Sequence, residues 1–383
     1  MSGASQAFFH TLRKIRAKNF TIRRVPASLP KKCAGAYTDD VKRLLFTGGG
    51  SAGHVVPNLA VMQELCGTYD VAYMGTDGIE RGLAGAFGCP YYTVNCPKLV
   101  RAATPRNLTV PFRLAAARRK ALDILRRETF DLVFSKGGYV SYPAVWAAHR
   151  LKVPVLTHES DLSPGLCTRM IAGKCRYVLT SFPETAGRFR NGRCVGSPMR
   201  RELFCGDRLA ARAKYGFSGR KPVLLVLGGG SGSRALNEAV RSNLAALLLR
   251  FDILHLCGKG NRSERTARGY VQLEYERDMG AAYACCDLAL SRAGSNAVFE
   301  LIALKKPALL VPLAHASRGD QAQNAAYFAR KDLCAVLDEG QLDTLPSALL
   351  CLYGNAKIRA ALERDHTVSG TQAIADVIRS VIG

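Results

Sequence analysis

From Val41 onward the chain alternates short apolar runs with segments of helical period, and after Pro198 the same rhythm restarts. Arg43 to Phe46, Val71 to Met74, Asp131 to Phe134 and Val153 to Thr157 read as strands of the first series. Pro222 to Leu227, Phe251 to Cys257, Asp287 to Leu290 and Ala308 to Pro312 read as strands of the second. Strands separated by helices pair in parallel, because the intervening segment serves as the crossover a parallel neighbour requires. The expected fold class is α/β, with two doubly wound, Rossmann-like domains. A chain of 383 residues is long enough for two cores. The expected divisions are a basic extension over 1–40, a first domain over 41–197 and a second over 198–364. A C-terminal helix within 365–383 is expected to pack back toward the first domain. Two such domains facing each other leave an interdomain cleft between the carboxyl ends of their strands.

Composition narrows the setting. Hydrophobic residues make up 48% and charged residues 22%, the balance of a folded globular chain. No apolar run approaches the ~20 residues that cross a bilayer, so no span is expected. The formal charge is +24, and it is concentrated. Residues 1–43 hold ten Lys/Arg against two Asp, and residues 98–127 hold nine against one. Such clusters attract phosphates, on an anionic leaflet or on nucleic acid, although a merely solvated face is the plain alternative. The first 40 residues place Phe8, Phe9, Leu12, Ile15 and Phe20 among basic residues, as in an amphipathic helix lying on a membrane or an unstructured basic arm. They are too polar for a secretory signal. Thirteen cysteines show no CxxC pair, which reads as reduced thiols in a cytoplasmic protein rather than a disulfide framework or a zinc site.

Four constellations carry chemistry. Thr47 to His54 (TGGGSAGH) lies between a strand and a helix, where glycines admit a ligand to the backbone and free N–H groups point at it. Gly48, Gly50 and Gly53 satisfy GxGxxG, with Asp70 and Asp77 at distances suited to a ribose, so a dinucleotide site is one reading. Gly228 to Ser233 (GGGSGS) repeats the pattern at the start of the second domain. Two such loops facing one cleft suit a nucleotide-sugar diphosphate and a second phosphorylated substrate better than one dinucleotide; a tight turn is the bland reading of either. Ser291 to Glu300 (SRAGSNAVFE) brings small residues to a helix start and a carboxylate able to accept ribose hydroxyls. Arg318 to Asn324 (RGDQAQN) gathers amides and a carboxylate able to read sugar hydroxyls, or simply to cap a helix.

In order and spacing, TGGGSAGHVVPNLAV, SKGGYVSYPAVWAA, HESDLSPGLCTR, VGSPMRREL, LGGGSGSRALNE, CGKG, DMGAAYACCDLALSRAGSNAVFE and GDQAQNA closely resemble the MurG family. The resemblance runs from about Arg43 to Ile378 and looks like the Gram-positive branch. It implies a GT-B fold and inverting transfer of N-acetylglucosamine from UDP-GlcNAc to the 4-hydroxyl of undecaprenyl-pyrophosphoryl-MurNAc-pentapeptide, the lipid I to lipid II step of peptidoglycan synthesis. The donor belongs to the second domain and the lipid acceptor to the first. Donor contacts carried over by position fall on Ser51, Ala52, Gly53, Arg200, Gly230, Ser231, Glu276, Ser295, Asn296, Ala297, Glu300 and Gln321. Acceptor contacts fall on Gly49, Gly50, Tyr139 and Asp161. The chain departs from the family at Gly230, where Ser is usual, so a hydroxyl contact to phosphate is lost or moved to Ser231. It departs again at Asp161, where many members carry Asn, and at Glu276, where a backbone contact to uracil survives any side chain. The extension over 1–40 has no family counterpart.

The attacking hydroxyl needs a base. His54, at the loop–helix junction, is the first candidate and Glu159 its rival, with a positioning role for His54 also open. No acidic pair of the DxD kind is evident, so no metal or other cofactor is expected. Leu99, Val100, Leu108, Val110 and Phe112, interleaved with Arg101, Arg106 and Arg113, are expected to meet the membrane, followed by a cationic helix around Arg118 to Arg127. A soluble loop is the alternative there. Expected partners are UDP-GlcNAc, lipid I, anionic lipids and other cell-wall synthesis proteins, at the cytoplasmic face of the membrane and with no nucleic acid. A UDP-sugar-dependent glycolipid synthase or a UDP-GlcNAc epimerase would share much of the donor site, but the GGYVSYP and HESD blocks favour the peptidoglycan reading. A basic nucleic-acid-binding protein lacks a matching aromatic platform here.

Overall fold

The computed structural model describes residues 41–97, 109–313 and 319–383. The extension over 1–40, and Leu99, Val100, Arg101, Arg106 and Leu108 of the expected membrane segment, lie outside the described residues.

The first sheet comprises β1 (Arg43–Thr47), β2 (Asp70–Gly75), β3 (Tyr91–Thr93), β4 (Leu132–Ser135), β5 (Val155–Glu159), β6 (Tyr177–Thr180) and β7 (Gly192–Cys194). Its order is β3-β2-β1-β4-β5-β6-β7, with parallel pairing throughout. The second comprises β8 (Val223–Leu227), β9 (Asp252–Leu256), β10 (Tyr270–Leu273), β11 (Leu288–Ser291), β12 (Ala308–Leu310) and β13 (Ala335–Val336). Its order, β10-β9-β8-β11-β12-β13, is again parallel. Helices cover both faces of such sheets, so central strands are apolar throughout instead of alternating. In β1, Leu44 and Phe46 enter one core and Leu45 the other, and all three are fully buried.

Each central strand matches a run that the sequence marks out. The strands the sequence does not mark are β3, β6, β7, β10 and β13, at or near the sheet edges. They have two to four residues, and polar side chains interrupt the apolar pattern in β3, β6, β7 and β10, including the buried Thr180 and Gln272.

The chain crosses between domains twice. After β7 it enters the second sheet, and the helix Thr371–Ile382 returns, burying Ile374, Ala375 and Ile378 in the first domain's core. The crossings touch: Gly370 N donates to Ser197 O (2.8 Å), and Met199 N donates to Thr371 Oγ1 (3.0 Å) and Ser369 Oγ (3.2 Å). A Cβ at Gly370 would lie 2.4 Å from Val195 O, so only glycine permits the approach. Phe182, from the segment after β6, is 1% exposed and sits in the second domain's core. Its ring lies 4.9 to 5.5 Å from those of Phe299, Tyr327 and Phe328.

Candidate active site

Both glycine loops follow the strands next to the point where sheet order reverses, β1 beside β4 and β8 beside β11, the position where open parallel sheets bind ligands. The first loop is held from beneath. Gly50 has φ +80°, and a Cβ there would lie 2.8 Å from the Tyr139 ring. A Cβ at Gly49 would meet the carboxyl of Glu80 at 2.6 Å. That carboxylate is fully buried and accepts from Gly50 N (3.2 Å), Thr76 N (3.0 Å) and Thr76 Oγ1. The expectation of free N–H groups along this loop is therefore corrected at Gly50, whose N–H is already used.

The second loop leaves Gly229, Gly230 and Ser231 exposed ahead of the helix Arg234–Ser242. Gly232 has φ +76°, and a Cβ there would lie 2.0 Å from Cys257 O. Ser233 caps the helix by accepting from Leu236 N (3.4 Å), and Arg292 Nε donates to the same hydroxyl (3.0 Å). Arg292 also donates to Val311 O (3.2 Å) and pairs with Glu339, which fixes the loop to the end of β12. The two loops meet: a Cβ at Gly230 would lie 3.4 Å from the Ala52 side chain. They share one opening.

His54 closes the first loop, its Nδ1 3.2 Å from Lys136 O. The carbonyl can only accept, so Nδ1 carries the proton and Nε2 is the acceptor. Burial, followed by the charge of Lys136, holds the imidazole below its ordinary value, which keeps it neutral. Lys136 is 2% exposed, its ammonium is pushed down to about 8 by burial, and it donates to Ser160 Oγ. Glu159, the rival base, is occupied otherwise. Its carboxylate accepts from Asp161 N (3.2 Å), Gly165 N (2.8 Å) and Thr168 Oγ1 (2.6 Å), so it organises the loop after β5.

That loop docks on the second domain. Asn324 donates to Asp161 Oδ1 (3.0 Å) and accepts from Leu162 N (3.1 Å). Ser295 Oγ donates to Ser160 O. Ser160 Oγ donates to Asn296 Oδ1 (3.1 Å), and Asn296 Nδ2 donates to Gly53 O (2.9 Å). Ser295 and Asn296, expected at the donor, thus have side chains engaged in domain contacts, because the helix Ser295–Ala303 starts where the domains touch. Ala297 follows them on the same helix start, and Ser51 precedes the helix Ala52–Leu65 with no side-chain capping bond.

Further along the cleft, Tyr283 OH donates to Glu300 Oε2 (2.7 Å), and Arg200 is close enough to draw down the Glu300 carboxyl that burial pushes up. The Glu276 side chain accepts from Tyr215 OH (2.8 Å) and Asp278 N (2.8 Å) and pairs with Lys214, so it is already engaged. Gln321, in the first turn of Asp320–Ala329, accepts from Leu313 N (3.0 Å).

Residues 44–180 match the glycosyltransferase family 28 N-terminal domain, and residues 223–378 match the family 28 C-terminal domain. The chain belongs to glycosyltransferase family 28. It is 41% identical over 350 residues to the UDP-N-acetylglucosamine--N-acetylmuramyl-(pentapeptide) pyrophosphoryl-undecaprenol N-acetylglucosamine transferase of Clostridium botulinum (strain Loch Maree / Type A3), covering 88% of this chain and 99% of that protein. The protein of the same name from Clostridium kluyveri is 43% identical over 318 residues, covering 81% and 90%. In fold, the chain is similar to the crystal structure of Acinetobacter baumannii MurG, with TM-score 0.69, 24% identity, and 88% and 99% covered. It is similar also to the calicheamicin glycosyltransferase CalG4, with TM-score 0.67, 17% identity, and 90% and 99% covered. Two Rossmann-like sheets across a cleft are the GT-B architecture.

On the outer face of this family 28 chain, Val110 is corrected. It is 9% exposed, because the helix Val110–Glu128 turns Val110, Ala117, Ala121 and Ile124 inward. Phe112 is 78% exposed and Arg113 is exposed. Arg118 lies over the rings of Tyr142 (5.0 Å) and Trp146 (5.3 Å), a packing role in place of a free lipid contact. Leu166 and Met170 are also exposed, on a helix of the same layer, and sequence reading does not single them out. It also passes over individual roles for Glu80, Lys136, Ser160 and Tyr283, each of which has a partner distant in the chain. Lys136, Ser160 and Tyr283 do stand inside recognised blocks, and Asn324 in the amide cluster read there for sugar hydroxyls. No helix among the described residues is long and apolar enough to cross a membrane.

Proposed function

We propose that the chain transfers N-acetylglucosamine from UDP-GlcNAc to the 4-hydroxyl of undecaprenyl-pyrophosphoryl-MurNAc-pentapeptide, with inversion. The observation that carries this reading is end-to-end likeness, at 41% identity and 99% coverage, to a transferase of that name, in a chain whose two glycine loops share one cleft. The bond from the anomeric carbon to the β-phosphate oxygen breaks, the bond to the acceptor's oxygen forms on the opposite face, and the acceptor's proton passes to His54 Nε2. UDP leaves bearing the negative charge. The exposed backbone of Gly229 to Ser231 at the start of a nine-residue helix, together with Arg200, supports stabilisation of that charge. Glu300, held by Tyr283, supports a ribose contact, and Glu276 a backbone contact to the base. No cofactor enters this reading.

The reading places the enzyme peripherally at the cytoplasmic membrane face, where an undecaprenyl-linked acceptor resides. Phe112 and Arg113, exposed on one helix, and Leu166 and Met170, exposed on another of the same layer, support a surface that enters the headgroup boundary. The test is incubation with labelled UDP-GlcNAc and lipid-linked muramoyl-pentapeptide, in which the wild type forms the disaccharide. His54→Ala is expected to lose about 10²- to 10⁴-fold in kcat with donor affinity retained. Unchanged turnover in that variant would remove His54 from the base role, and absence of product in the wild type would remove the function.

A further inference from the structure

Lys136 is a buried cation to which the proposed chemistry assigns no task. It follows β4 directly and is 2% exposed. Its two ends reach different parts of the site. The carbonyl receives Nδ1–H of His54 (3.2 Å), and the ammonium donates to Ser160 Oγ. The same Ser160 oxygen donates to Asn296 Oδ1 (3.1 Å), and Asn296 Nδ2 donates to Gly53 O (2.9 Å), one residue before His54. A continuous hydrogen-bonded path therefore leaves the His54 loop, passes through Lys136 and Ser160 to a helix of the second domain, and returns to the His54 loop. The Nε2 side of the imidazole borders Gly138, where a Cβ would stand 3.4 Å away, so this edge has no side chain in front of it from that residue.

We propose that Lys136 is a positioning residue for the transfer, carrying the docking of Asn296 through Ser160 to the loop that holds His54. The assignment rests on the reading of His54 as the base. With Asn296 docked, Ser160 has a second partner and its oxygen is fixed toward the ammonium. With the domains apart, that oxygen is released and the lysine loses its orientation. The base is thus set in place by the closure that brings the donor to it.

The charged groups facing this pair are known. His54 senses Lys136, Glu159 at the end of β5 and Glu80 from the helix Ile79–Phe87. Lys136 senses Glu159 and Asp161. Burial and the lysine charge both favour neutral imidazole, and the two carboxylates oppose them. Removing the lysine charge therefore moves the titration of His54 upward.

The test uses the full chain with Lys136→Met and Ser160→Ala. An apolar side chain of similar length is tolerated where a buried ion is removed, and circular dichroism and a thermal melt verify the fold. The titration of His54, read by NMR of histidine-labelled protein and assigned with His54→Asn, is expected to move upward in Lys136→Met. It stays in place in Ser160→Ala, which keeps the charge. Each variant is expected to lose about tenfold in kcat, more than it changes the donor KM, and the double variant to lose no more than the worse single one. A folded Lys136→Met with an unmoved His54 titration, or losses that multiply in the double variant, would overturn the proposal. The titration needs no turnover, so it separates failure here from failure of the base assignment, which His54→Ala activity decides.

Discussion

Asp161 carries its charge at a cost. Burial, then the neighbouring Glu159, pushes its carboxyl from the ordinary 3.8 up to about 6, although Asn324 donates to it. The folded state thus binds this proton more tightly than the unfolded chain does. That contribution is complete below the ordinary carboxyl value and is lost as pH rises through about 6. Asp161→Asn keeps an acceptor for Asn324 and cannot ionise. It is expected to be more stable than the wild type by roughly 1–2 kcal/mol at pH 7.5 and nearly equal to it at pH 4, as denaturant titrations at both values will read. Sequence alone marks Asp161 as a departure from the usual Asn but does not reveal its environment. The same limit applies to Lys136 and Glu80. Their partners Ser160 and Gly50 lie 24 and 30 residues away, and a buried charge takes its meaning from what folding brings against it. His54 was legible because a loop–helix junction fixes its place locally; Glu159 was legible as a carboxylate near the cleft, but not as one already filled by three donors.

At the level of elements, strands next to the reversal points were readable because burial on both faces forces unbroken apolar runs, whereas edge strands lack that pressure. The glycine loops were readable for a related reason: Gly232 and Gly50 hold backbone angles and contacts that a side chain cannot enter. The outer helix Val110–Glu128 was harder, since its sequence mixes core and surface residues, and only three-dimensional packing separates Val110 from Phe112. Phe112, with Leu166 and Met170 from another helix of the same layer, makes up the exposed apolar surface proposed above to meet lipid. A combined Phe112→Asp and Leu166→Asp change is expected to weaken co-sedimentation with anionic vesicles about tenfold or more while sparing UDP-GlcNAc affinity. Wild-type protein that fails to bind such vesicles would contradict the membrane surface itself.

For the whole molecule, the domains meet through an aromatic contact, here the dry one, and a hydrogen-bonded one, wet only in being polar. The dry contact is Phe182, placed among Phe299, Tyr327 and Phe328 of the other domain. The wet one is the set of hydrogen bonds among Ser160, Asp161, Asn296 and Asn324. Phe182→Ala leaves a void in a packed aromatic cluster and is expected to cost about 3–5 kcal/mol. A donor KM that rises more than kcat falls, measured beside the melt, would place the loss in domain docking.

The paired crossings at Ser197–Met199 and Ser369–Thr371 bear on how such a molecule can move. Two connectors far apart would lock the halves together or let them shear, but connectors bonded side by side leave one easy motion, a swing about the line through both. The mouth then gapes widest on the side remote from the connectors. A nucleotide sugar can enter and its spent diphosphate depart there without the connectors having to part.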